Sequence, residues 1–378
     1  MSVLAHGIGQ SQDLPLPLDL VLQAGAATVV LSFLVSAVLW QRPRLGAAVR
    51  RAVRSTWWRL PLQVVVLVLS LYLVVNAFTG SRGPENPVTR ALFVWLWVGL
   101  VPVSVVLGPV WRIVNPLRTL FRLLRLPAAG LRPVPGEKSA GRLPAAVWLL
   151  VFVWFELVSP GRTDPVVIGC ALLGYALVQL AFATVRGEEW FARGDCFEVY
   201  SELAGRLSPL RWRNPLAAVA NTPRDRGLAV FLAVWWGSTI FDSASSSPAW
   251  DDFLDRAGNP LLYGTAGLVL LCAGVLASVR WMAGRLDVTA SLIPIAVGYT
   301  VAHYLTLLLT EGPAPGLIAG LQITLILLGH LLAVLIAHDM ALAAGPARPV
   351  LATLADELPV VLLMIAYTWA GLFLLFVR

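Results

Sequence analysis

Long apolar runs alternate with short polar stretches along the whole chain. The runs cover residues 19–40, 60–79, 91–111, 145–160, 165–185, 227–246, 261–280, 288–310, 317–338 and 355–376. At 1.5 Å per residue, a helix of about 20 residues crosses a hydrocarbon core of ~30 Å. The pattern therefore predicts an all-α fold: a polytopic transmembrane helix bundle of about ten spans, read as a single integral membrane domain over 1–378. Pro102 and Pro109 fall in the third run and predict a kink there.

The polar stretches set the expected topology. The first run is followed by Arg42, Arg44, Arg50, Arg51, Arg54 and Arg59. An Arg-rich short loop belongs in the cytoplasm, so residues 1–18 are expected outside. The segments 112–143 and 186–226 become cytoplasmic loops. The expected outer loops carry only Arg82, Arg90, Arg162 and Arg256, and an even number of spans returns the C-terminus outside. Residues 1–20 carry no Lys or Arg, unlike a secretory signal peptide. Lys138 is the only lysine. Such Arg-for-Lys usage fits a GC-rich bacterial genome, hence a bacterial plasma membrane.

Two inner segments predict amphipathic helices lying on the cytoplasmic interface. In NPLRTLFRLLRL, Asn115 can cap and Pro116 can take the first helical position. Leu117, Leu120, Phe121 and Leu124 then share one face, and Arg118, Arg122 and Arg125 another. In GDCFEVYSELAGRL, Asp195 and Glu198 have capping-box spacing, with Phe197, Tyr200, Leu203 and Ala204 as the apolar face. The strings WRIVNPL and WRNPL read as one helix-start chemistry used twice.

Composition agrees with a membrane protein. The chain is 58% hydrophobic and 13% charged, about half the charge of a soluble domain. The net charge of +7 lies in loops between apolar runs, which argues against a nucleic-acid partner. Cys170, Cys196 and Cys272 show neither metal-ligand spacing nor an even count for a disulfide framework.

The candidate chemistry lies in polar residues within the runs. An ionisable side chain at mid-membrane costs at least about 2.5–3.5 kcal/mol and often marks a pathway. Tyr299, His303, Thr306 and Thr310 recur on one predicted helical face, as do Ser238, Asp242 and Ser245, and Tyr72, Asn76 and Thr79. By residue count, Asn76, Glu156, Asp242 and His303 fall in the outer third. They predict an outward-facing polar pocket, with His6 folding over it. His330 lies near mid-membrane, and His338 and Asp339 at the inner end, so the histidines form a ladder. Imidazole with carboxylate suits a divalent metal such as Zn²⁺ or Cu²⁺, or a proton relay. His6, Asp242, His303 and His330 are the candidate ligands, and Asn76, Glu156, Tyr299, Thr306, His338 and Asp339 the supporting polar residues. Asp356 and Glu357 read as N-terminal helix charges. No HExxH, GxSxG, Walker or Rossmann motif is present.

The strings AHGIGQSQDLPLPL, RGEEWFARGDCFEVYSELAGRLSPL, VAHYLTLLLTEG and GHLLAVLIAHD resemble a bacterial family of polytopic membrane proteins labelled fenitrothion hydrolase. The resemblance covers nearly the whole chain. It implies hydrolysis of an organophosphorus ester by a metal-activated water, with His6, Asp242, His303, His330 and His338 as available ligands. Three functions are thus expected to compete: binding or transport of a metal ion or proton from the outer side, metal-dependent hydrolysis, and an envelope assembly scaffold. The bilayer is the one partner common to all three.

Overall fold

The computed structural model describes residues 16–51, 57–83, 85–132, 141–283, 286–309, 315–344 and 350–376. Its main helices, in chain order, are α1 (Leu18–Leu39), α2 (Arg59–Thr79), α3 (Pro87–Leu107), α4 (Pro116–Leu123), α5 (Leu143–Leu157) and α6 (Pro165–Arg186). They continue with α7 (Cys196–Gly205), α8 (Arg226–Ser245), α9 (Pro260–Ala283), α10 (Ile293–His303), α11 (Pro315–Ala343) and α12 (Val350–Phe376). No β-strand occurs among the described residues. The protein is an all-α, polytopic helical membrane protein.

Among the described residues, eight helices are long and apolar enough to cross a membrane: α1, α2, α3, α6, α8, α9, α11 and α12. The expected count of about ten differs at two places. The fourth run forms α5, only 15 residues long. The eighth run is broken into a 3₁₀ turn (Thr289–Leu292), α10 and a last turn (Leu305–Leu308), because Tyr304 leaves helical geometry at φ −97°, ψ 12°. The third run opens in a π-helical stretch, Ala91–Val98, continues as α-helix through Pro102, and ends at Gly108 with φ +91°.

Helix starts follow local capping chemistry. Asn86, Asn115, Asp164 and Asn214 each accept a hydrogen bond from a backbone N–H two residues on, with Pro next in sequence. WRIVNPL and WRNPL thus do use one start signal twice. Asp195 accepts from the N–H groups of Phe197 and Glu198, while the Glu198 side chain pairs elsewhere.

By their internal contacts the described residues group into two compact units. The first comprises Met1–Val49, Trp212–Arg224 and Leu232–Arg378; the second comprises Arg50–Arg211 and Asp225–Phe231.

In the second unit the core is built around α7. Only Glu202 of its ten residues escapes full burial, so the expectation that it lies on the surface is corrected. Tyr200 stacks on Trp97 with ring centres 4.6 Å apart, and Ser201 hydrogen-bonds Ser104 at 2.8 Å. Arg118 of α4, expected on a solvated face, is buried against Glu198 through two hydrogen bonds of 2.7 Å. The matching carboxylate is what makes its burial tolerable. Leu123 and Leu124 remain exposed, which keeps α4 partly interfacial.

In the first unit, α10 lies against α11 and α8. Gly298 and Gly329 set the closeness of the α10–α11 crossing. A Cβ at Gly298 would come 2.6 Å from the Leu325 carbonyl oxygen, and one at Gly329 would come 2.7 Å from that of Pro294. Small residues at such crossings let helix backbones approach in place of a hydrophobic driving force that lipid cannot supply. On the α8 side, Trp235 Nε1 donates to Thr300 Oγ1 at 2.9 Å. This pins α8 and α10 together about one turn from His303 and about two turns from Asp242.

Candidate functional site

Asp242 and Ser243 follow one another on α8, and His303 and Tyr304 on the end of α10. His303 Nε2 lies 2.9 Å from Asp242 Oδ2. The Tyr304 hydroxyl donates to the same oxygen at 2.9 Å. On the other side of the ring, His303 Nδ1 lies 3.2 Å from Ser243 Oγ, which lies 3.1 Å from the Tyr299 hydroxyl. His303 is 1% exposed and Ser243 is 1% exposed, so this chain runs through the protein interior.

The partners fix the donors. A carboxylate only accepts, so Nε2 of His303 carries a proton toward Asp242. With the imidazole neutral, Nδ1 accepts from the Ser243 hydroxyl, which in turn accepts from Tyr299. With the imidazolium, Nδ1 donates to Ser243, and Ser243 donates to Tyr299. The five groups therefore form a hydrogen-bonded wire with two polarities, which interconvert by moving one proton and turning hydroxyl rotors.

Of the expected pocket, Asp242 and His303 come together here, joined through Ser243 by Tyr299, which was expected only on the His303 face. Ser243 and Tyr304 were not among the expected residues. Both lie next in sequence to an expected site residue, about 100° around the helix from it. Face analysis discards such neighbours, but an imidazole wedged between two helices can meet them. The expected stripe also assumed a continuous helix beyond His303. After the break at Tyr304, the Thr306 hydroxyl is buried with no hydrogen-bond partner among the described residues, and Thr310 lies outside them.

His330 is not brought to this pair. The Gly298–Leu325 and Gly329–Pro294 approaches show that α10 and α11 run antiparallel. His330 is thus level with the start of α10, about nine residues or roughly 14 Å from His303. Its Nδ1 lies 2.9 Å from the Ile326 carbonyl, an obligate acceptor, so Nδ1 carries the hydrogen. Nε2 is left as a bare lone pair, buried and without a hydrogen-bond partner among the described residues.

Two turns further along α11 stands a second imidazole–carboxylate dyad. His338 Nδ1 faces Glu357 Oε2 at 2.9 Å and Oε1 at 3.0 Å, and Nε2 faces the Trp40 carbonyl at 2.8 Å. Asp339 accepts from Trp40 Nε1 at 2.9 Å and from the Arg44 N–H at 2.6 Å. His338, Asp339 and Glu357 are all buried, and Glu357 pairs with His338 rather than standing as a simple N-terminal helix charge. Glu357 sits well inside α12, which starts at Val350.

Asn76 and Glu156 belong to the second unit. Asn76 is half-buried at the end of α2, its carbonyl accepting from Asn86 Nδ2 at 3.1 Å, and Glu156 is buried on α5. His6 lies outside the described residues. Among the described residues, no group of three or more His, Cys, Asp or Glu side chains comes together to hold a metal ion. Asp242 and His303 are two such side chains, short of a group of three.

The second unit holds a buried polar cluster that the sequence reading did not identify. Asp195 accepts from Tyr175 at 2.8 Å, from Asn115 at 2.7 Å and from Trp111 at 3.3 Å. Burial first, then the charge of Glu198, pushes its carboxyl up to about 6. Burial likewise pushes the Cys196 thiol above its ordinary value. No family model, curated protein or solved structure matches the chain.

Proposed function

We propose that this membrane protein binds and moves protons through the wire Tyr299–Ser243–His303–Asp242–Tyr304. The observation that carries the reading is the unbroken run of donor–acceptor contacts of 2.9–3.2 Å on both sides of one buried imidazole. Ionisable groups are costly inside a membrane and cluster where protons or ions pass. A neutral imidazole between a hydroxyl and a carboxylate can take a proton on one nitrogen and release one from the other. His330, with its Nδ1 hydrogen held by Ile326 and its Nε2 lone pair buried, stands apart from this wire.

The test is proton flux in proteoliposomes carrying an internal pH dye, driven by a pH step. Wild-type protein should dissipate the gradient, and Asp242→Asn and His303→Gln should not. Metal analysis of the same preparations separates the metal reading. Stoichiometric Zn²⁺ or Cu²⁺ lost in both variants, without proton flux in wild type, would favour the metal-binding reading.

One observation favours hydrolysis as a second reading. Ser243, His303 and Asp242 have the connectivity of a nucleophile, a base and an orienting acid, although the serine meets Nδ1 and the carboxylate Nε2, the reverse of the usual ring orientation. Turnover of an organophosphorus ester that disappears in Ser243→Ala would support it.

A further inference from the structure

We propose that His338 and Glu357 form a second proton-binding site, independent of the Asp242–His303 wire, whose bound proton clamps the Trp40–Leu45 segment onto α11. The Trp40 carbonyl has no hydrogen, so His338 Nε2 must donate to it across 2.8 Å. Nδ1 faces both oxygens of Glu357 at 2.9 and 3.0 Å. One proton must lie between them, either on Nδ1 as imidazolium beside carboxylate or on Glu357 as carboxylic acid beside neutral imidazole. Both forms hold the same number of protons and satisfy every contact. Removing that proton sets a bare Nδ1 lone pair against a carboxylate, and the contact becomes repulsive.

The ring position that this proton enforces also places Nε2 on Trp40. Trp40 returns a hydrogen bond through Nε1 to Asp339, and Asp339 further accepts from the N–H groups of Arg44 at 2.6 Å and Leu45 at 3.3 Å. The adjacent pair His338–Asp339 thus grips the segment leaving α1 through its carbonyl, its indole and two amides. The charged groups around the dyad are Asp339 on α11, Arg44 on the gripped segment and Asp356 on α12, while α1 offers the edge of Phe33 at 6.5 Å. A cavity with room for about one water opens against His338 and Glu357. Phe33, Leu286, Val288, Val334 and Met364 line its apolar side.

The experiment is hydrogen exchange of the Trp40–Leu45 amides in the full-length protein in nanodiscs, corrected for the intrinsic pH dependence of exchange. ¹⁵N shifts of the His338 ring are read alongside, assigned by difference among the four histidines. Wild type should show both ring nitrogens sharing hydrogens at low pH. As pH rises and the shared proton leaves, protection of the Arg44 and Leu45 amides should fall by at least about tenfold. Glu357→Gln supplies a neutral amide that pairs with Nδ1 without a shared proton, so it should stay protected at every pH. His338→Ala should be unprotected throughout. Protection in wild type that does not change while the ¹⁵N shifts report loss of the Nδ1 proton would overturn the proposal. So would Glu357→Gln following the wild-type pH dependence. None of these readouts depends on whether the Asp242–His303 wire conducts.

Discussion

Replacing Asp242 by Ala tests whether the wire is held together as its contacts imply. The substitution removes the acceptor of two buried donors, His303 Nε2 and the Tyr304 hydroxyl, both at 2.9 Å from Oδ2. A buried donor stripped of its acceptor costs about 1–3 kcal/mol, so Asp242→Ala should lower unfolding stability by about 2–6 kcal/mol. Asp242→Asn keeps a carbonyl oxygen that can occupy the Oδ2 position and accept from both donors, so it should cost less than Asp242→Ala. It also removes the charge, so it separates folding from proton handling. The assay is equilibrium unfolding in mixed micelles followed by tryptophan fluorescence. Ring ¹⁵N shifts of His303 report which nitrogen carries hydrogen. Equal stability of wild type and Asp242→Ala would refute the reasoning, because the two donors would then have found other acceptors at no cost.

Further outcomes follow from other buried contacts. Arg118→Met should destabilise the second unit by about 3–5 kcal/mol by stranding Glu198, and Arg118→Met with Glu198→Met should recover most of that loss, measured by the same unfolding titration. Asp195 has its carboxyl raised to about 6 in the folded chain, against 3.8 for an ordinary aspartate. The folded state therefore binds this proton more tightly, and stability at this site should rise as pH falls from about 7 toward 4, by about 3 kcal/mol at most. Asp195→Asn keeps the cap oxygen and should lose that pH dependence. Gly298→Ala should prise α10 from α11, since its Cβ would lie 2.6 Å from a backbone oxygen, and should be seen as loss of folded yield and of the His303 ¹⁵N signature.

The membrane architecture was legible because length and apolarity decide whether a helix can span. Where a run was short, as in α5, or internally broken, as at Tyr304, composition alone overcounted. The helix starts at Asn115 and Asp195 were legible because capping is local. The burial of α7 was not. Its Asp195, Glu198 and Ser201 look like a solvent face until Asn115, Arg118, Tyr175 and Ser104 are seen to satisfy them from elements far away in sequence. The same holds for the site. Asp242 and His303 stood out as charges in apolar runs, and they do meet. The pairing of His338 with Glu357 did not stand out, because a carboxylate close to a helix start is equally well explained by the helix dipole. Only the tertiary fold, bringing α12 against α11, decides between the two.

The account's central claim is that protons pass His303 by way of a connected wire, so the most direct measurement interrupts that wire at its one removable atom. Ser243→Ala takes away the oxygen linking Tyr299 to His303 Nδ1 and leaves the Asp242–His303 contact untouched. Proton flux in proteoliposomes should then fall at least about tenfold while stability changes by only about 1 kcal/mol. Undiminished flux in Ser243→Ala would contradict the account.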